Sequence, residues 1–199
     1  MPGANAAGST SAGATGGSLP AGTYTNPVPG ASTGRIDQGV DYTLSSSGFL
    51  APGKSQILIA NANDSGWGGG GYIAAKLLDG PLAGDVYYVA EGVKPVVKAG
   101  DIVQAGQQLV TRVTNPFNGT LGNIEAGWAN PNNPGQPIAQ TLSGYSGDQS
   151  SQALTAGYAF SNFVTALGGI AGQFQGAGAS LAGSIENLFK GGTPAGVPY

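Results

Sequence analysis

The order of residue types predicts a mainly β protein, with an antiparallel two-sheet β core, an extended N-terminal arm and a C-terminal α-helical tail. Three observations predict it. From Arg35 to about Trp128, short β-branched and aliphatic runs alternate with Gly, Pro, Asn and Asp, the pattern of strands and turns. After Ser150, apolar residues recur at steps of three or four, the period of a helix. Before residue 34, Gly, Ala, Ser and Thr leave too little apolar side chain to offset the entropy of ordering the backbone.

Residues 1–33 form the arm, low in complexity to Gly17 and then punctuated by Pro20, Pro27 and Pro29. Such a segment is expected to be extended or disordered, and ordered only by a partner. Met1 to Pro20 has neither a basic start nor an apolar run, so it does not read as a secretory signal.

The core spans residues 34–129, with candidate strands at Gly39–Leu44, Lys54–Asn61, Tyr72–Leu78, Val86–Glu91, Gln108–Thr114 and Asn123–Trp128. The unbroken apolar run Gln56–Ala60 predicts a strand buried on both faces. Between Val96 and Gln107, two similar short segments each end in a glycine, Gly100 and Gly106, where the backbone is expected to reverse at positive φ.

Residues 130–147, rich in Asn and Gly and carrying Pro131, Pro134 and Pro137, read as a linker. The tail, 148–199, opens on Asp148, Gln149, Ser150 and Ser151 as N-cap oxygens. A helix is predicted from about 150 to 167, a break at Gly168 and Gly169, and a weaker helix from about 170 to 189, which glycine destabilises. No charge falls between Asp148 and Glu186, but Gln149, Ser161, Asn162, Gln173 and Gln175 interrupt the apolar stretches, so membrane insertion is not expected. The Gly168, Gly172 and Gly176 spacing favours close packing against the chain's own core or against further copies.

Composition narrows the function. Charged residues make up 9% of the 199, with 37 glycines and 13 prolines; the usual charged share is about 25%. A surface so poor in charge repels its neighbours weakly and suits a subunit of a permanent, multi-copy assembly with other protein subunits. Net charge is −3, and the seven Lys and Arg residues are scattered, which argues against nucleic acid as a partner. With no cysteine and no histidine, the chain has the ligands of neither a thiol nor a conventional zinc hydrolase.

Three segments nevertheless resemble one family. Arg35-Ile36-Asp37-Gln38-Gly39-Val40-Asp41-Tyr42 is similar to the first zinc motif of the lysostaphin-type zinc endopeptidases, His-x-Gly-x-Asp, with Asp37 at the histidine position and Gly39 and Asp41 kept. Val86-Tyr87-Tyr88-Val89-Ala90-Glu91, with Val93 to Gln107 after it, resembles that family's central hairpin. Asn123-Ile124-Glu125-Ala126-Gly127-Trp128 stands where the family has a His-x-His strand, with neither histidine. The resemblance covers roughly residues 35–129. It implies the family's two-sheet β core and marks Asp37, Asp41 and Glu125 as degenerate former-ligand positions.

A catalytic zinc needs three protein ligands and an open position. An oxygen-only set suits Ca²⁺ or Mg²⁺ better, but such ions need more oxygens than the pattern guarantees, so no metal, cofactor or catalytic residue is expected. The bland reading pairs these carboxylates with cations or backbone N–H groups. Trp67, Tyr87 and Tyr88 are candidate groove contacts for glycan or peptide, and Trp128 is expected in the core. The glycine-rich stretch Gly66–Gly71 reads as a hairpin loop, since a phosphate cradle would need a following helix and a lysine. A lipoyl-type hairpin lacks its lysine.

The leading expectation is a non-catalytic structural or assembly protein, a bacteriophage virion component of tail or capsid, on an inactive peptidase-like fold. That setting follows from the resemblance and general character rather than from any residue. The alternatives are a non-cleaving peptidoglycan-binding module, located outside the cell or in its envelope, and a hydrolase that works through carboxylates alone.

Overall fold

The structure, a computed structural model, describes Leu19 and residues 22–199. Its chain order is β1 (Ser32–Ile36), β2 (Val40–Thr43), β3 (Phe49–Leu50), β4 (Ser55–Asp64), β5 (Gly70–Leu77), β6 (Val86–Glu91), β7 (Val93–Pro95), β8 (Ile102–Val103), β9 (Gln108–Arg112), β10 (Asn123–Asn130), β11 (Asn133–Pro137), α1 (Ser151–Ala166) and α2 (Ala182–Phe189). The large sheet runs β1-β2-β10-β6-β5-β4-β8, with β11 paired to β10, and a small sheet runs β3-β9-β7. Every strand pairing between them is antiparallel. The mainly β, two-sheet expectation holds.

Alternation gives the large sheet two different faces. One carries Ile73, Ala75, Leu77, Tyr87, Val89, Ile124, Ala126 and Trp128, and packs in one core with Phe49, Leu109 and Val110 of the small sheet and Leu154, Phe160 and Phe163 of α1. The other carries Tyr72, Ala74, Val86, Tyr88, Ala90 and Ala129. Only this second face is left to form a site.

The buried two-faced strand is β5, buried everywhere except Lys76, rather than β4. In β4 only Ile57 of the apolar run is fully buried, because β8 pairs with β4 just at Ser55 and Gln56 and leaves the rest as an edge. A bulge at Leu58 further shifts the β4 register against β5. Gly100 and Gly106 do turn the chain at positive φ, 94° and 80°.

Two expected segments behave differently. Residues 130–147 are not a linker, since they contain β11 and a 3-10 turn, Ile138–Thr141, whose Ile138 and Ala139 are buried. The expected arm lies mostly outside the described residues; its end, 22–33, is held by the chain itself. Thr25 N donates to Pro52 O at 2.7 Å, Leu50 N donates to Pro27 O at 2.9 Å, and Tyr24 meets Phe163 edge-on, ring centres 6.1 Å apart.

Helix α1 matches its expected span. Ser150 caps it, its hydroxyl accepting from Ala153 N at 3.3 Å, and Gly168 at φ 78° ends it. Phe160 and Phe163 press on Trp128 with ring centres 5.3 and 4.9 Å apart, so the supposed tail is core. The second helix is shorter than expected, because the glycines between 168 and 178 each weaken helix by about 1 kcal/mol relative to alanine. The edge of β1 takes up that segment instead: Ile36 N donates to Gln173 O at 2.8 Å, and Gln173 N donates to Gly34 O at 3.0 Å. No helix among the described residues is long and apolar enough to cross a membrane.

Candidate functional site

On the open face, the pairing of β2 with β10 sets Asp41 directly opposite Glu125. Like charges so placed repel unless a cation joins them. Arg35 supplies that cation. Thr33 pairs with Tyr42 and Ile36 with Val40, which leaves both Gly34 and Arg35 facing Asp41, a bulge that re-aims the arginine. Only glycine fits at 34, where a Cβ would stand 2.5 Å from the carbonyl oxygen of Asp41.

Arg35 Nη2 donates to Asp37 Oδ2 at 2.6 Å, and Arg35 Nε lies 3.5 Å from Asp41 Oδ2, an ion-pair separation. Asp37 Oδ1 accepts from Gly39 N at 3.1 Å in the turn between β1 and β2. A Cβ at Gly39 would strike both Ala126 O and the Tyr88 hydroxyl, so the turn sits tight against the sheet. Tyr88 donates its O–H to Glu125 Oε1. One oxygen each of Asp37, Asp41 and Glu125 lies within 4.8 Å of the others, so the three positions marked by the motifs do converge.

Around them opens a cleft of about 580 Å³, lined by six carboxylates (Asp37, Asp41, Asp64, Glu91, Glu125 and Asp148) and one guanidinium, that of Arg35. Trp67 and Phe117 stand in its walls. Trp67 comes from the β4–β5 hairpin and stacks on Tyr72 and tilts over Tyr88, ring centres 5.9 and 5.7 Å away, so one of its faces is spent on the protein. Phe117 is 62% exposed. Glu91 sits at φ 78°, a conformation uncommon for a side-chain-bearing residue, and accepts from Asn115 Nδ2 at 2.6 Å. From the segment after β11 come Gln140, whose amide donates to Gln38 Oε1 at 3.0 Å, and Tyr145, whose hydroxyl donates to Asp148 Oδ1 at 3.0 Å.

Burial of Asp37, Asp41, Glu91 and Glu125 raises their pKa values. Burial pushes Asp37 up to about 7, with the Asp41 charge adding to it and Arg35 opposing it. Burial likewise takes Asp41 and Glu91 up to about 6. Glu125, fully enclosed, is pushed well above the usual carboxylate range by burial first and by Asp37 second. Arg35 stays charged, since Asp37 and Asp41 more than offset the downward pull of its burial.

Of the candidate groove contacts, Trp67 lines the cleft, but Tyr87 and Tyr88 are both fully buried. Tyr87 points into the apolar core, where its hydroxyl donates to Ser55 Oγ at 3.1 Å; Tyr88 lies beneath Trp67 and serves Glu125. Adjacent strand residues face opposite ways, so the two could never have shared a groove. Trp128 is in the core, as expected. Sequence reasoning missed Arg35, Glu91 and Asp148 as site residues. For Arg35 the signal was available: a lone arginine two and six residues ahead of two acids in the same motif.

The residues do not fit a zinc centre. All the converging donors are carboxylates, Glu125 already receives the Tyr88 hydroxyl, and the arginine stands 2.6 Å from Asp37 where an ion would bind. Zinc sites of this size draw on imidazole or thiolate.

No protein-family model matches the chain, and neither does any curated protein. Among solved structures, lysostaphin, the antimicrobial peptidase of Staphylococcus simulans, is similar over 54% of this chain and 41% of its own, at 23% identity and a TM-score of 0.39. A solution structure of lysostaphin is similar over 69% of this chain and 56% of its own, at 17% identity and a TM-score of 0.44. A zinc-containing peptidase from Vibrio cholerae is similar over 56% of this chain and 38% of its own, at 13% identity and a TM-score of 0.40. This chain spans less than two thirds of the length of each of the three.

Proposed function

We propose that this chain is a pseudo-peptidase, a non-catalytic structural or assembly subunit that uses a peptidase-like β core as a building block, with a bacteriophage virion as its setting. The observation that carries the non-catalytic part is the Arg35 guanidinium, paired with Asp37 and Asp41 at the place where the resembling family keeps its metal. A guanidinium seated there does not polarise a peptide carbonyl as a bound divalent ion would. The assembly part is supported by the 9% share of charged residues and by Val96, Ile102 and Leu121, each half-exposed on the outside.

Two measurements test it. Peptidoglycan incubated with the full chain, with and without added zinc, releases no muropeptide; release in either arm rejects the non-catalytic reading. Sedimentation at rising concentration shows a multi-copy particle, or a particle containing the chain is isolated; a chain that stays monomeric and enters no larger particle rejects the assembly reading.

The open acidic cleft favours one second reading, a module that holds cell-wall peptide without cutting it. Trp67 offers its outer face there, and the carboxylates suit an amine-bearing peptide. Saturable retention on purified peptidoglycan, lost in Trp67→Ala, would favour this reading over the first.

A further inference from the structure

We infer that Arg35 is the resident cation of this fold: its guanidinium takes the place among Asp37, Asp41 and Glu125 that a divalent ion would otherwise hold, and makes the cluster independent of metal. The inference goes beyond the assembly role and stands whether the cleft binds a ligand or not.

Geometry carries it. A divalent ion on Asp37 Oδ2 would sit about 2.0–2.6 Å from that oxygen, and Arg35 Nη2 is already 2.6 Å from it. A second cation on that oxygen would sit against the charge of the guanidinium, so the two compete for the same carboxylate. The same guanidinium lies 3.5 Å from Asp41, and its charge also reaches Glu125. Among the residues that line the cleft it is the one positive side chain, so if it left, three convergent carboxylates would face each other unopposed.

The backbone that carries the arginine is also fastened, while its side chain remains 43% exposed at the cleft. The bulge that aims it needs Gly34, and the residues on both sides of it are fastened: Ile36 N and Gly34 O are hydrogen-bonded to the backbone of Gln173, at 2.8 and 3.0 Å, on the side away from β2. Its planar fork spans two acids at once, which a lysine ammonium does as a point charge only.

The test is metal titration of the full-length chain by calorimetry and by melting, with Ca²⁺, Mn²⁺ and Zn²⁺ each added alone. The wild type shows no saturable binding and no shift in melting midpoint. Arg35→Gln, which keeps a similar length but loses the charge, melts earlier and gains saturable Ca²⁺ or Mn²⁺ binding, tighter than wild type by about tenfold or more, with a melting midpoint that rises as the ion is added. The double variant Arg35→Gln with Asp37→Asn loses that gain. A merely structural role for Arg35 predicts the earlier melting without the rescue by ion.

Saturable binding to the wild type, or an Arg35→Gln variant that folds and ignores all three ions, overturns the inference. Should Arg35→Gln fail to fold, Arg35→Lys decides it: kept charge means kept indifference to metal, and a saturable ion in that variant overturns it too. Metal on the wild type without muropeptide release sinks this inference alone, whereas release with no bound metal sinks the non-catalytic reading alone.

Discussion

The two faces of the large sheet are made by the same strands and differ in almost everything else. Beneath α1 and the small sheet, Trp128, Phe160, Phe163, Tyr87 and Phe49 form a face without a formal charge. On the other side, one residue along each strand, Asp41 and Glu125 line a cleft, with Tyr88 buried beneath Trp67, and the cleft gathers six of the chain's ten acids. The contrast teaches that stability and site are divided by strand alternation. The first face holds the fold together, and the second spends part of that stability on crowded carboxylates.

Damage to the apolar face therefore has the largest expected effect. Trp128→Ala removes the ring that meets both Phe160 and Phe163, and is expected to lower stability by about 3–5 kcal/mol in denaturant unfolding. A loss below about 1 kcal/mol would mean that α1 is not part of the core.

The acidic face sets the pH dependence. Asp37 has its folded pKa raised to about 7, and Asp41 and Glu91 to about 6, above the ordinary carboxylate values near 4. The folded chain thus binds more protons than the unfolded one between those limits. Their stabilising protonation is fully present below about pH 4 and is lost as pH rises through about 6 to 7. Unfolding midpoints measured at pH 4.5 and pH 7.5 check the sign, and equal values would show the cleft to be well solvated.

Neutralising the most enclosed acid sharpens the contrast further. Glu125→Gln keeps an acceptor for the Tyr88 hydroxyl and removes the buried charge, so it is expected to stabilise by about 1–2 kcal/mol at pH 7.5 and by less at pH 4.5. Destabilisation at pH 7.5 would place a favourable ion pair at Glu125 instead. The smallest effect belongs to Ser150→Ala, a loss of about 1 kcal/mol through the cap of α1, read from the same unfolding curves and unchanged across that pH range.

The strands with strong β-branched patterns were legible in the sequence: Val86–Glu91 has the expected bounds, and β2, β5, β9 and β10 lie close to theirs. So was the first helix, through its cap and its period. Short pieces such as β3, β7 and β8 were not, since two or three residues carry no periodicity. β11 was hidden by Pro134 and Pro137, which an edge strand tolerates because it needs fewer N–H donors. At the site, Asp37, Asp41 and Glu125 were marked by a resemblance and are indeed neighbours. Arg35 stood in view two and six residues ahead of Asp37 and Asp41, but the direction of its side chain depends on a bulge, a one-residue irregularity of register that no pattern of hydrophobicity encodes.

The backbone tie between Gln173 and the edge of β1 has a consequence for biogenesis. Arg35 leaves the ribosome before Gln173, so during vectorial synthesis the arginine has acids beside it but no outer strap until the segment around residue 173 has emerged. The strap on the outer edge of β1 would then close only after the strands of the large sheet have emerged. A nascent chain arrested before residue 173 should expose the edge of β1 to whatever strand it meets.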